Sequence, residues 1–257
     1  MATLSTLVTG LASGSIEVID LTAPLSPETP TLQLPDQFGQ TAKFEVELIS
    51  EYDDRGPAWY WNNFRTGEHT GTHFDAPIHW VSGRGGEDVA SVPVQRLVGP
   101  AAVLDFAEEA SANPDFLLEV AHIEAWQQEH GPLPDGGWLL YRTGWDAYAH
   151  SQEAFLNVDA SGSHTPGMSP ECAQWVAQRS PVVGMGVETV GSDAGAAATF
   201  TPMFPCHSFM HGAGKYGLTQ LRNLDKLPPT GSVLIASPLR IVNGSGSPLR
   251  VLALVEH

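Results

Sequence analysis

Between residues 69 and 79 the chain reads His69-Thr-Gly-Thr-His73-Phe-Asp75-Ala-Pro77-Ile-His79, three histidines and one aspartate in eleven residues. The whole chain holds only 10 histidines, so this density points to chemistry. Neutral imidazole and carboxylate are preferred ligands of divalent metals such as Zn²⁺ and Mn²⁺. The same segment constrains the backbone. Gly71 and Pro77 argue against a helix, so this is not the metalloprotease pattern of two histidines one turn apart. In an extended segment, residues 73, 75, 77 and 79 share one face. Fully stretched, His73 and His79 would lie roughly 20 Å apart. A bend at Pro77 is needed to bring His79 back to a metal held by the earlier residues. The segment reads as a ligand set, His69, His73 and Asp75, with a working base. By spacing alone His79 is open to three roles: further ligand, general base, or packing residue beside Trp80.

The rest of the chain predicts a turn-rich α/β domain. Ile16–Asp20, Phe44–Ile49, Pro100–Asp105, Trp138–Arg142, Pro181–Val187, Ser232–Ala236 and Arg250–Val255 have the composition of strands. Phe44–Ile49 alternates apolar and polar, as a half-buried strand does. Leu117–His130 has helical spacing after Asn113-Pro114. A second helix is expected from Ser169 to about Gln178, with Ser169 as cap, Pro170 in the first turn and Glu171 at the positive end. No linker or repeat divides residues 1–257, so one domain is expected.

Charge narrows the partners. With 29 acidic and 12 basic residues the formal net charge is −17. That disfavours nucleic acid and anionic membrane surfaces, and leaves a small-molecule substrate. No run of about 20 apolar residues reads as a membrane span. The first residues lack the basic and apolar regions of an export signal, and the two cysteines are far apart. A cytoplasmic protein with reduced thiols is expected.

The histidine segment resembles the His-x-Gly-Thr-His-x-Asp-x-Pro-x-His signature of the metal-dependent cyclase-like hydrolases, which include bacterial kynurenine formamidases and isatin hydrolases. Similarity runs over nearly the whole chain. Further landmarks are Ile49-Ser-Glu-Tyr-Asp53, Gly191-Ser-Asp193-Ala-Gly195, Phe204-Pro-Cys-His207, Asn223-Leu-Asp-Lys-Leu-Pro228 and the closing Gly246–Leu254 run. The isatin hydrolase branch is the nearer one. The resemblance implies a swivelling β/β/α fold with a β-barrel-like centre. It implies hydrolysis of a strained cyclic amide, isatin to isatinate, by water activated on a divalent metal. Mn²⁺ is the first choice, with Zn²⁺ as the alternative. His79 then takes the role of acid–base catalyst, and His207 lines the site as a catalytic or substrate-binding group. His211, four residues on, is a weaker candidate. A homo-oligomer, dimer or larger, is expected.

Several groups are expected around this centre. Glu188 and Asp193 flank a Gly-rich turn after a core strand, a common place for residues that support a site. Trp61 and Trp80 bracket the histidine segment and would wall a pocket for a planar bicyclic substrate. Metal count can also be read. In formamidases of this family a second ion is held by a histidine, matched by His207, and by a glutamate in a Glu-Asn-Leu-x-Asn-Leu stretch. Here that stretch reads Thr219-Gln220-Leu221-Arg222-Asn223-Leu224, without an acid. One metal per chain is expected.

Overall fold

The computed structural model describes residues 3–256. At its centre is a nine-stranded mixed sheet, curled into a half barrel. In sheet order its strands are Ile16–Asp20, Val251–Glu256, Ser232–Ala236, Val98–Asp105, Trp138–Arg142, Gly184–Val187, Tyr216–Thr219, His73–Asp75 and Gly246–Pro248. The run from Val98–Asp105 to Tyr216–Thr219 is parallel. The pairs on either side are antiparallel. Parallel neighbours require long crossovers. Helices Val120–His130 and Pro170–Arg179 lie within two of them.

Strand Trp138–Arg142 shows why the centre is so apolar. Trp138 and Leu140 enter one hydrophobic cluster with Phe74, Tyr216 and Ala253. Leu139 and Tyr141 enter the other, with Ile123, Trp126, Cys172 and Val176 from the helices. Successive side chains of a strand point to opposite faces. Both faces are covered, so four consecutive large residues are buried.

Two expectations need correction. Helix formation starts at Val120, not Leu117, because Leu117–Leu118 pairs in parallel with Gly167–Met168. Glu119 and His122 then form a reciprocal capping box. Ser169 caps the later helix as expected, accepting from Cys172 N at 3.2 Å. The expected half-buried strand from Phe44 is instead Glu45–Glu51, paired only with Tyr60–Arg65 in a hairpin outside the main sheet. Ser50 is the one buried residue of the two strands. The alternation does not mark a buried face because no layer packs on it. Helix Thr3–Ser13 was not expected at all. No helix among the described residues is long and apolar enough to cross a membrane.

Candidate metal centre

The short strand His73–Asp75 lies between Tyr216–Thr219 and Gly246–Pro248. Its alternation sends Phe74 into the core and puts His73 and Asp75 on the opposite face, all three buried. Glycines make room on both sides. A Cβ on Gly217 would stand 2.8 Å from Asp75 Oδ2, and one on Gly246 would stand 2.4 Å from His69 Cε1. Past Asp75, Pro77 opens a single 3₁₀ turn, Pro77–His79, in which His79 N donates to Ala76 O at 2.9 Å. Proline suits that first position because its missing N–H would be unpaired there. The turn supplies the required bend, and the His79 ring stacks on His69 with centroids 3.9 Å apart.

The opposite wall is a π-helical turn, His207–His211. Such turns recur at functional sites. Here it aims two imidazoles inward, 5.5 Å apart and 5.4 and 5.9 Å from His79. Asp193 fixes one of them. Its carboxylate accepts from Cys206 N at 2.7 Å, from His207 N at 3.2 Å and from His207 Nδ1 by a very short contact. That leaves His207 Nε2 to face the centre.

Asp75 is the hub. Its Oδ1 lies 2.7 Å from His69 Nδ1 and 3.3 Å from His73 Nε2. Burial pushes the Asp75 carboxyl up, but His73 and His69 outweigh it and hold the group well below the usual carboxylate range. Burial drives His79 down to about 2 and His211 to about 4, so both rings are neutral at physiological pH. At His207 burial also opposes protonation. The hydrogen bond and charge of Asp193, with Asp75 beyond, overcome it and raise the pKa above the ordinary imidazole value.

This donor set fits a divalent metal. Ligand atoms of His69, Asp75 and His79 lie within 4.8 Å of one another, as do those of Asp75, His207 and His211. The His211 Nδ1 sits 3.1 Å from Lys215 O, while its Nε2 is buried without a hydrogen-bond partner. A buried, unsatisfied imidazole nitrogen in a ring of others is costly unless a cation or proton donor meets it. His73 stands just outside these triads. Its Nδ1 lies 2.7 Å from Gly71 O and 2.8 Å from the Thr219 hydroxyl, while Nε2 lies 3.3 Å from Asp75 Oδ1 and 3.0 Å from the same hydroxyl. A backbone acceptor on the remote nitrogen is the usual support of a metal-binding histidine.

The fold thus gathers His69, His73, Asp75, His79, His207 and Asp193 from separate segments. Trp80 belongs with them: its ring is 4.7 Å from His207, and its Nε1 donates to Ser208 Oγ at 3.2 Å. Two expected residues go elsewhere. Trp61 sits on the exposed hairpin, 53% accessible, with Trp59 as its ring neighbour. Glu188 takes its hydrogen bonds from Thr143 and Gly144 and faces a different cavity. Sequence reasoning underrated His211, whose spacing of four from His207 is common on ordinary helices. Ser245 and Glu68 escaped it altogether. Ser245 Oγ lies 2.9 Å from His69 Nε2 and donates to Glu68 Oε2 at 2.6 Å. Glu68 precedes the motif directly, which was the one available signal.

Comparison with known proteins agrees with this geometry. The Cyclase family model, described as "Putative cyclase", matches residues 19–194. An isatin hydrolase of Roseibium aggregatum is 47% identical over 98% of this chain and 97% of its own. Isatin hydrolase A from Ralstonia solanacearum superposes with a TM-score of 0.97 at 52% identity, over 100% of this chain and 98% of that one. An isatin hydrolase bound to the product analogue thioisatinate gives a TM-score of 0.97 at 46% identity, with both chains covered completely.

Proposed function

Because the chain belongs to the Cyclase family, we propose that it is a metal-dependent hydrolase that opens the cyclic amide of isatin to give isatinate. The observation that carries this is the buried ring of imidazoles around one ionised carboxylate, Asp75, in a chain so like isatin hydrolases. His69, His73 and Asp75 would hold the metal, Mn²⁺ first and Zn²⁺ as the alternative. When bound, it would polarise a carbonyl and lower the pKa of water.

The chain's own residues supply the rest. His79 is neutral at physiological pH, so it can accept the proton of the attacking water and return it to the leaving amide nitrogen. His207, aimed by Asp193 and with its charged form favoured by that carboxylate, donates a hydrogen bond to a substrate oxygen as charge grows there. Trp80 offers a flat apolar face for the bicyclic ring and, with Phe204 5.6 Å behind it, limits water. One metal per chain is part of the reading. It rests on the missing acid in the Thr219–Leu224 run, and Asp75 is the one carboxylate in either donor triad.

The reading takes residues 1–257 as one domain, since one continuous sheet joins strands from Ile16–Asp20 to Val251–Glu256. It also includes a homodimer. A lone two-stranded hairpin is marginal in water, yet this one exposes Val46, Leu48, Tyr60, Trp61 and Phe64. A second copy covering it would give those side chains a core, and would let Trp61 wall a pocket it does not reach in its own chain. Two buried, unpaired cysteines accord with a cytoplasmic location.

The test is turnover of isatin, N-formylkynurenine and simple lactones by protein loaded with Mn²⁺ or Zn²⁺, with metal per chain measured on the same samples. Isatin should be preferred, at one ion per chain. Preference for the formamide, or two tightly bound ions, overturns the reading. Light scattering should give twice the chain mass.

A further inference from the structure

At the Nε2 edge of the His69 ring, a glutamate and a serine from distant segments meet. Glu68 directly precedes the histidine segment. Ser245 directly precedes strand Gly246–Pro248, which pairs antiparallel with His73–Asp75. The sheet holds Ser245 by its backbone. Its carbonyl accepts from Ala76 N at 2.9 Å, and its N–H donates to Glu68 Oε2 at 3.0 Å. A Cβ on Gly246 would stand 2.9 Å from His69 Nδ1, so glycine there lets the ring lie against the strand.

A serine hydroxyl has one proton to give. Ser245 Oγ has two partners within reach, Glu68 Oε2 at 2.6 Å and His69 Nε2 at 2.9 Å. An ionised carboxylate only accepts. The 2.6 Å contact also has the length of a charge-assisted bond from a hydroxyl to a carboxylate. The proton therefore lies toward Glu68, and an Oγ lone pair faces His69. Nε2 must then carry the hydrogen between them.

A ligating imidazole is neutral, so with Nε2 protonated the lone pair falls on Nδ1. That nitrogen faces Asp75 Oδ1 at 2.7 Å. Two acceptors so close repel unless a cation stands against both, and a divalent metal would supply one. Asp75, His69 and Ser245 also lie in the order of a nucleophile triad: carboxylate, imidazole, hydroxyl. Glu68 reverses the polarity. In such a triad the imidazole receives the hydroxyl proton, whereas here that proton is drawn to the far carboxylate and the imidazole donates.

We propose, on the reading of His69 as a metal ligand, that Glu68 and Ser245 are positioning residues. They lock His69 as its Nε2–H tautomer and so present Nδ1 to the metal. A ligand histidine commonly donates its remote N–H to a carboxylate or carbonyl, which orients the ring and makes the ligating nitrogen more basic. At His69 a hydroxyl relays the carboxylate. Neither residue needs to touch substrate.

Metal titrations and ring-nitrogen spectra of the full-length protein test this without reference to turnover. With Mn²⁺ or Zn²⁺ as the probe, Ser245→Ala and Glu68→Ala should each bind roughly 10–100-fold more weakly, the usual loss when such a support is removed. Ser245→Thr restores the hydroxyl, and the amide oxygen of Glu68→Gln can accept both serine bonds. Both variants should regain most of the affinity. Long-range ¹⁵N–¹H spectra of the Zn²⁺-loaded protein should show His69 protonated on Nε2 and not on Nδ1. Ser245→Ala should lose the protection of that proton against exchange. Should Ser245→Ala fail to fold, Glu68→Ala makes the same test from the other segment. His69→Ala separates this role from the reading beneath it. Wild-type metal affinity in His69→Ala would show that His69 is no ligand, and both would fall. Loss of metal in His69→Ala with wild-type affinity in Ser245→Ala and Glu68→Ala overturns the positioning role alone, as does a wild-type proton on Nδ1. Covalent labelling of Ser245 by a fluorophosphonate overturns it in favour of a nucleophile triad.

Discussion

Asp75 and Glu188 are equally hidden, each 1% exposed, yet they titrate in opposite directions. Around Asp75 the imidazoles of His73 and His69 outweigh burial and keep the carboxylate ionised. At Glu188 burial leads. The amides of Thr143 and Gly144 oppose it, Asp146 reinforces it, and the pKa rises to about 7. Burial alone therefore does not set ionisation. What matters is which charges and dipoles replace the lost water. A carboxylate ringed by imidazole nitrogens is prepared for a fixed dication. One backed by a few amides is left half-titrated at neutral pH.

The largest expected effect comes from removing the ionised member of this pair. Asp75→Ala takes away the one carboxylate shared by both donor triads, so metal content and turnover should both fall to background. Elemental analysis checks the first and an isatin assay the second. Full metal occupancy in this variant would erase the distinction between the two carboxylates.

Next, His79→Ala should lower turnover by roughly 10²–10⁴ while leaving the metal in place, as loss of an acid–base group does. The grouping of His79 with His69 and Asp75 allows the contrary result. Loss of metal from this variant would make His79 a ligand and require another base.

Glu188 gives the pH test. Its pKa is raised from an ordinary 4.5 to about 7 on folding. The folded state therefore binds the proton more tightly than the unfolded chain. Its stabilising contribution is complete below about pH 4.5 and is lost as pH rises through about 7. The gap is worth roughly 3 kcal/mol. Urea titrations from pH 5 to 8 should show wild-type stability falling relative to Glu188→Gln, which cannot ionise. Parallel curves for the two proteins would show that Glu188 is held like Asp75, and the contrast would collapse.

The smallest effect concerns Trp80. Its replacement by alanine should raise KM for a planar substrate, by about 1–3 kcal/mol in binding. Unchanged kinetics with a lowered Tm would return Trp80 to a packing role.

Much of this was legible from residue order alone. The eleven-residue histidine segment announced a metal centre, and its proline announced the turn that returns His79, because proline chemistry is local. Strand Trp138–Arg142 and the Ser169-capped helix were equally plain, since periodicity and capping depend on neighbours in sequence. The hairpin was misjudged for the complementary reason: Phe44–Ile49 has the alternation of a half-buried strand, but alternation says nothing about whether a second layer exists. Trp61 and Glu188 were assigned to the centre by proximity in sequence or by turn context, and neither criterion measures distance in space.

The sequence by itself determined the chemistry available here: imidazoles and a carboxylate at a spacing that only a bent, extended segment satisfies. It also determined the missing acid in the Thr219–Leu224 run, which argues for a single ion. The tertiary structure alone decided which groups meet. It set His211 beside His207 through a π-helical turn, brought Ser245 from 176 residues away to meet His69 and Glu68, and carried Glu188 to a different cavity. Those juxtapositions arise from the pairing of strands distant in sequence, where each partner's position is fixed by the packing of the whole sheet and by no signal within its own segment.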